Sequence, residues 1–243
     1  MNTEYESSYS EYLSIFDEII QNRQDGASTL TRKTLLKIKE LIPDIENCNE
    51  LKKVIQCAKS LRSSMPMIRN TVSKLEHFYE GQENFDRKEL ADHIDSIMLY
   101  LENKRKKIIE FGLSILTQHR NIGLVSFSSN IAEIVSRVSG KNFFALYGDD
   151  FAKMYRCELS FVRDELMEDK IDVGLMGADA VILSKNIYIV NGFPSERFAE
   201  AIKRKKIFVI AETEKIVSED LEIQIEQSFD RFEMKENMYL VLV

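Results

Sequence analysis

Seven apolar residues, Leu90, Ile94, Ile97, Leu101, Ile108, Phe111 and Ile115, recur at steps of three, four and seven. A helix with about 3.6 residues per turn places positions so spaced on one stripe. The spacing therefore predicts one long helix that must lay that stripe against a core. Close to residue 119 the pattern changes. Short apolar runs rich in valine, isoleucine and phenylalanine now alternate with shorter helical stretches. No linker rich in Pro, Gly or Ser separates the two regimes, so the long helix is expected to lead directly into the first strand.

Before the long helix the chain reads as helix almost throughout. Tyr12, Phe16, Ile19 and Ile20 recur at helical spacing, as do Leu51, Val54, Ile55, Ala58 and Leu61. Gly26 and Ser28 mark a helix junction, and the run Leu35 to Ile42 ends at Pro43, which cannot continue a helix. Beyond residue 119 the candidate strands are Ile122–Phe127, Phe143–Tyr147, Tyr155–Phe161, Ile171–Met176, Ile187–Val190, Ile207–Ala211 and Met238–Val243. Helical patterns occupy Ile131–Ser139 and Ser195–Lys205. Buried runs alternating with helices imply a mainly parallel, helix-covered sheet. The expected class is α/β, with a helical bundle over 1–118 and a Rossmann-like domain over 119–243.

Composition closes several routes. The net charge of −7 offers no global positive field to nucleic acid. The basic runs Lys104 to Lys107 and Lys203 to Lys206 read as solvated helix faces. Three cysteines (Cys48, Cys57, Cys157) and three histidines (His77, His93, His119) show neither a disulfide pattern nor zinc-ligand spacing. No metal and no cofactor is expected. No stretch approaches the roughly 18 apolar residues of a membrane span. The start, Met1 to Glu6, has neither a basic nor an apolar segment of the signal-peptide kind. Cytoplasmic localisation is the expectation.

Ligands of such sheets sit at the carboxyl ends of the strands, and three segments there carry polar groups. Val125-Ser126-Phe127-Ser128-Ser129-Asn130 joins a strand to a helix. Its amides and hydroxyls suit a phosphate, although Ser128 or Ser129 capping the helix explains them without a ligand. Val173-Gly174-Leu175-Met176-Gly177-Ala178-Asp179 brings a carboxylate to the edge, as an acid–base group, as a ligand of a ribose hydroxyl or as a turn former. The third, Tyr188-Ile189-Val190-Asn191-Gly192-Phe193-Pro194-Ser195, ends a strand on an amide and is followed by Val209-Ile210-Ala211-Glu212-Thr213-Glu214-Lys215.

The succession GADAV, strand to Asn191-Gly192, helix from Ser195 and strand to Ala211-Glu212-Thr213 resembles the translation initiation factor 2B family. Its members include the alpha, beta and delta regulatory subunits, with ribose-1,5-bisphosphate isomerase and methylthioribose-1-phosphate isomerase as relatives. Asp25-Gly26-Ala27-Ser28 with Arg32 resembles the family's first helical junction. Ser63-Ser64-Met65-Pro66-Met67-Ile68-Arg69-Asn70 resembles its Pro-Ser-Met-Ala-Pro-Leu-type segment, and Phe111 to Phe127 its helix-to-strand entry. The resemblance spans nearly the whole chain. It implies that Gly26, Ser28, Arg32, Arg69, Ser126, Ser128, Ser129, Asp179 and Asn191 stand at ligand-binding or vestigial positions.

The chain departs from the isomerase pattern where chemistry is done. Asp179 keeps the aspartate place, but Phe127 stands in the cysteine place, and a phenyl ring cannot titrate. The family's Asn-Lys-x-Gly-Thr is here Asn191-Gly192-Phe193-Pro194-Ser195. Its Glu-x-Arg-Pro-like segment is Tyr147-Gly148-Asp149-Asp150, which sets acid where an anion prefers arginine. No catalytic residue is expected. The implied function is a non-catalytic, factor-2B-like regulator that forms a homodimer or higher oligomer through the α/β domain and contacts initiation factor 2. The alternatives are a sensor of a nucleotide, sugar phosphate or other phosphorylated small molecule, and a divergent isomerase. No membrane or direct nucleic-acid partner is expected.

Overall fold

The structure, a computed structural model, describes residues 12–218 and 225–243. The opening segment read as lacking a signal peptide lies outside the described residues. The chain divides into two compact units, the first reaching Glu102 and the second running from Asn103 to Val243.

The described first unit is helical. It contains α1 (Asp17–Gln21), α2 (Ala27–Leu41), α3 (Cys48–Lys59), α4 (Pro66–Val72), a 3₁₀ turn (Ser73–Phe78) and the beginning of α5 (Arg87–Thr117). Local chemistry sets these ends. The Asn47 side-chain oxygen accepts from the amides of Asn49 and Glu50 at 3.0 and 3.2 Å, which caps α3. Pro66 opens α4 at the position where its missing N–H is no loss, and α2 stops two residues before Pro43. Leu30, Leu35 and Ile38 of α2, Leu51 and Ile55 of α3, Met67 and Ile68 of α4, and Leu90 and Ile94 of α5 are fully buried. Most positions of the periodicities read from the sequence lie on the buried faces of these helices, whereas Leu36 is 39% exposed.

In the second unit, α5 continues through Thr117 into β1 (Asn121–Leu124). There follow α6 (Ser129–Ser136), β2 (Asn142–Leu146), β3 (Leu159–Val162), α7 (Asp164–Lys170), β4 (Val173–Gly177), β5 (Ala180–Leu183), β6 (Ile187–Gly192), α8 (Ser195–Ala201), β7 (Lys206–Ala211), β8 (Ile216–Ser218), β9 (Phe229–Glu233) and β10 (Met238–Leu242). Six strands form a wholly parallel sheet in the order β10-β7-β4-β1-β2-β3. One face buries Ile122, Leu124, Phe143, Val173, Leu175 and Ile210 under α6 and the end of α5. The other buries Met176, Ile207 and Val209 under Met167 of α7, Phe198 of α8 and Ile202 just beyond it. This is the doubly wound α/β arrangement that the sequence predicts. The chain leaves β1 toward β2 on one side and returns to β4 on the other, so the carboxyl ends of β1 and β4 form the topological switch point.

Four expectations need correction. Phe111 is 40% exposed. The buried positions of this part of α5 are Ile108, Ile109, Gly112, Ile115 and Leu116, and Phe111 lies about 100° around the helix from Gly112. Gly112 is glycine because a Cβ there would collide with Ile134 of α6, so the helices approach too closely for a side chain. The run Tyr155–Phe161 is strand only from Leu159, after a 3₁₀ turn at Phe151–Met154. Tyr155 is apolar in pattern because its ring is buried in a loop, and Cys157 precedes the strand instead of lying within it. Helix α7 carries one buried side chain, Met167, and so leaves no stripe to read. Finally, β6 belongs to a second sheet of order β8-β5-β6-β9, in which β5 and β9 flank it antiparallel and β8 runs parallel to β5. Three strands of that sheet are too short to show a period.

Candidate functional site

The site grows out of the end of β1. After Leu124 the chain turns through Ser126, which holds a left-handed φ of 54° although it is not glycine. The turn is held by a carboxylate. The Ser126 amide donates to Asp149 Oδ2 at 2.7 Å, and the Ala152 amide donates to Asp149 Oδ1 at 2.9 Å. Asp149 is 0% exposed. Burial pushes its carboxyl above the usual aspartate range, while the amides of Ser126, Ala152 and Phe151 and the charge of Arg197 pull it back. The acid expected to face an anionic ligand is thus turned inward. Its neighbour Asp150 is exposed and pairs with Lys153 at 2.5 Å.

Phe127 packs its ring against that of Tyr155, with centroids 5.3 Å apart, at the margin of the sheet core. Tyr155 is buried, which drives its hydroxyl pKa upward, and that hydroxyl accepts from the Ser128 amide at 3.2 Å. Ser128 occupies the N-cap of α6, yet its hydroxyl makes no capping bond. The capping explanation therefore does not account for it. Instead Ser128 Oγ lies 3.0 Å from where a Cβ of Gly177 would stand, so the loop after β1 presses on the end of β4. Ser129 opens α6, half-exposed.

The remaining strand ends converge on the same edge. Asp179 follows β4, half-buried, and its amide donates to Val190 O at 2.8 Å. Asn191, next to last in β6, is buried. Its Nδ2 donates to Ser195 Oγ at 2.8 Å, and that hydroxyl donates to Gly192 O at 2.6 Å. A methyl on Gly192 would run into the Ser126 hydroxyl, so β6 touches the β1 turn directly. Ser126, Ser128, Ser129, Asp179 and Asn191 are therefore assembled at one edge. Gly26, Ser28, Arg32 and Arg69 belong to the first unit. Gly26 is the N-cap of α2, Ser28 lies half-buried in its first turn, and Arg32 is exposed one turn on. Arg69 is half-buried on α4, where desolvation lowers its guanidinium pKa.

Sequence reading missed a polar cluster at the end of β7. Asn130 of α6 donates from Nδ2 to Glu212 Oε1 at 2.9 Å, and Glu212 pairs with Lys215 at 2.9 Å. Lys104 of α5 pairs with Glu214 at 2.9 Å, the two side chains being 11% and 6% exposed. Lys104 is thus not part of a solvated face, whereas Lys203 and Arg204 are exposed. Asn130 is 3% exposed, and its Oδ1 has no hydrogen-bond partner. The strand-end rule applied to Glu212 could have found this cluster; nothing in the sequence links Asn130 to it. Among the described residues no three His, Cys, Asp or Glu side chains gather as a metal site, and no helix is long and apolar enough to cross a membrane.

No protein-family model and no curated protein matches the sequence. Solved structures do match the fold. The translation initiation factor eIF-2B of Pyrococcus horikoshii OT3 superposes with a TM-score of 0.70 at 19% identity, covering 92% of this chain and 88% of that one. The eIF2B delta subunit of Chaetomium thermophilum gives 0.65 at 14%, covering 96% of both chains. The 5-methylthioribose 1-phosphate isomerase of P. horikoshii OT3 gives 0.61 at 11%, covering 86% of this chain and 68% of that one. The chain shares the fold common to eIF2B subunits and this isomerase, the fold that its sequence resemblance implies.

Proposed function

We propose that the chain is a non-catalytic, eIF2B-like regulatory protein that acts by assembling through its α/β unit and by contacting other proteins, initiation factor 2 foremost. The observation that carries this reading is Phe127. The position after the first strand, where the resemblance to the isomerases implies a cysteine, holds a ring packed on Tyr155. A thiol–carboxylate pair with Asp179 has no thiol to form from. Cys157, the one cysteine beyond residue 119, lies before β3, and burial raises its thiol pKa, which disfavours the nucleophilic thiolate. One solved neighbour is a tetrameric eIF2B beta2-delta2 complex, which supports assembly as the mode of action. The net charge of −7 suits a basic partner. Size-exclusion chromatography with light scattering, followed by capture of purified initiation factor 2, tests the reading. A stable oligomer that retains the factor is expected; a monomer that does not bind it refutes the reading.

A second reading, a sensor of a nucleotide or sugar phosphate, is favoured by Asn130. A buried amide oxygen without a donor is costly, and a ligand hydroxyl would satisfy it. Thermal shift with ribose phosphates and nucleotides tests this; an Asn130→Ala variant that responds as the wild type does removes it.

A further inference from the structure

We infer that Asp149 is a built-in anion, seated on the Ser126 amide so that the β1 end of the switch point is closed to external phosphate. In open parallel sheets the turn after the central strand is where backbone amides hold a ligand's anion. Here that turn has the left-handed residue, Ser126 at φ 54°, and its amide is taken by a carboxylate oxygen at 2.7 Å. The carboxylate is no bystander on the surface. It is 0% exposed, its other oxygen takes the Ala152 amide at 2.9 Å, and its hydrogen-bond partners are backbone amides.

The groups that face it agree with this role. Arg197 of α8 favours the anion from a distance, while its own guanidinium pairs with Asp164 at 2.9 Å and donates to Tyr147 O at 2.6 Å. Tyr155 on the other side has its hydroxyl raised by burial and by the Asp149 charge, and so stays neutral. An incoming phosphate would have to displace a tethered carboxylate, whose effective concentration at the amide is fixed by the fold. It would also meet the like charge of a buried carboxylate, which water screens little. The edge is left with acceptors on offer, Asn130 Oδ1 first. Asp149 thus decides what this edge rejects, whether or not the chain assembles with partners.

The test uses the whole chain. In the wild-type protein the Ser126 amide proton, followed by NMR, moves downfield as Asp149 ionises, with a midpoint above the ordinary aspartate value of 3.8. Inorganic phosphate leaves that titration in place. In Asp149→Ala, formate raises the melting temperature saturably while chloride at equal ionic strength does not, and the wild type responds to neither. A Ser126 amide that does not titrate, or one whose titration phosphate abolishes, overturns the inference. So does a folded Asp149→Ala that formate does not stabilise. If Asp149→Ala does not fold, the wild-type titration decides alone.

Discussion

Gly192→Ala probes whether the strand ends meet as described. A methyl at Gly192 would stand 3.3 Å from Ser126 Cβ and well inside the contact distance of its hydroxyl oxygen. The Ser126 hydroxyl can turn about χ1, but its Cβ moves only with the backbone. The Ser126 amide is tied to a fully buried carboxylate, and Gly192 is both hydrogen-bonded to Ser195 and paired with Phe229 in the second sheet. Overpacking of this kind costs about 1–3 kcal/mol, which for a chain of this size lowers the melting temperature by roughly 2–12 °C. Ser126→Gly removes the opposing atoms, and glycine accepts a φ of 54° without strain. The double variant should therefore recover most of the loss. The coupling energy from urea unfolding of wild type, both single variants and the double variant should equal nearly the whole cost of Gly192→Ala. A neutral Gly192→Ala, or strict additivity with Ser126→Gly, would show that β1 and β6 do not touch there.

Other perturbations discriminate between further parts of the fold. Ile97, 5% exposed, and Phe111 lie on the same helix with opposite exposures. Ile97→Asp should abolish cooperative unfolding through an unpaired buried charge, and Phe111→Asp should change stability by less than about 1 kcal/mol; equal effects would refute the assigned stripe. Lys104→Met removes the ammonium paired with the buried Glu214 carboxylate and should cost about 1.5–3 kcal/mol, the range for a hydrogen bond to a charged group, against a negligible change on neutralising exposed Lys203; the reverse order contradicts the buried pair. Glu76 has its carboxyl held below its usual value first by the Lys59 ammonium, with desolvation opposing. Its contribution is therefore present above about pH 4.5 and is lost as pH falls through the folded value. Stability measured by urea unfolding between pH 6 and 3 should drop less in Glu76→Gln than in wild type, and parallel curves would remove the role of the pair.

Much of this was legible in the residues, for physical reasons. Leu90, Ile94 and Ile97 show their helix because a long stripe repeats often enough to fix its period. The central strands show because they are buried on both faces. Phe111 misled because a straight helix drifts against a seven-residue step, so the buried face moves on to Gly112. Strand β5 was hidden because only Ala178 and Asp179 separate Ala180-Val181-Ile182-Leu183 from β4, so the two strands read as one apolar run. At the site, Ser126, Asp179 and Asn191 were findable because strand ends are marked by a switch from apolar to polar. Asp149, Asn130 and Glu212 were not understood, because a polar side chain read from sequence carries no sign of whether it faces solvent or a buried partner.

The most direct test of the central claim is product formation followed by proton NMR. Purified wild type, Asp179→Asn and Phe127→Cys are incubated with ribose-1,5-bisphosphate or methylthioribose-1-phosphate. Proton transfer by a positioned group typically supplies about 10²–10⁴ in rate, and on the proposed reading Phe127, packed on Tyr155, stands where the resemblance implies the acid–base partner of Asp179. The prediction is no turnover by any of the three proteins. Turnover by the wild type that disappears in Asp179→Asn would contradict the account and make the chain an isomerase.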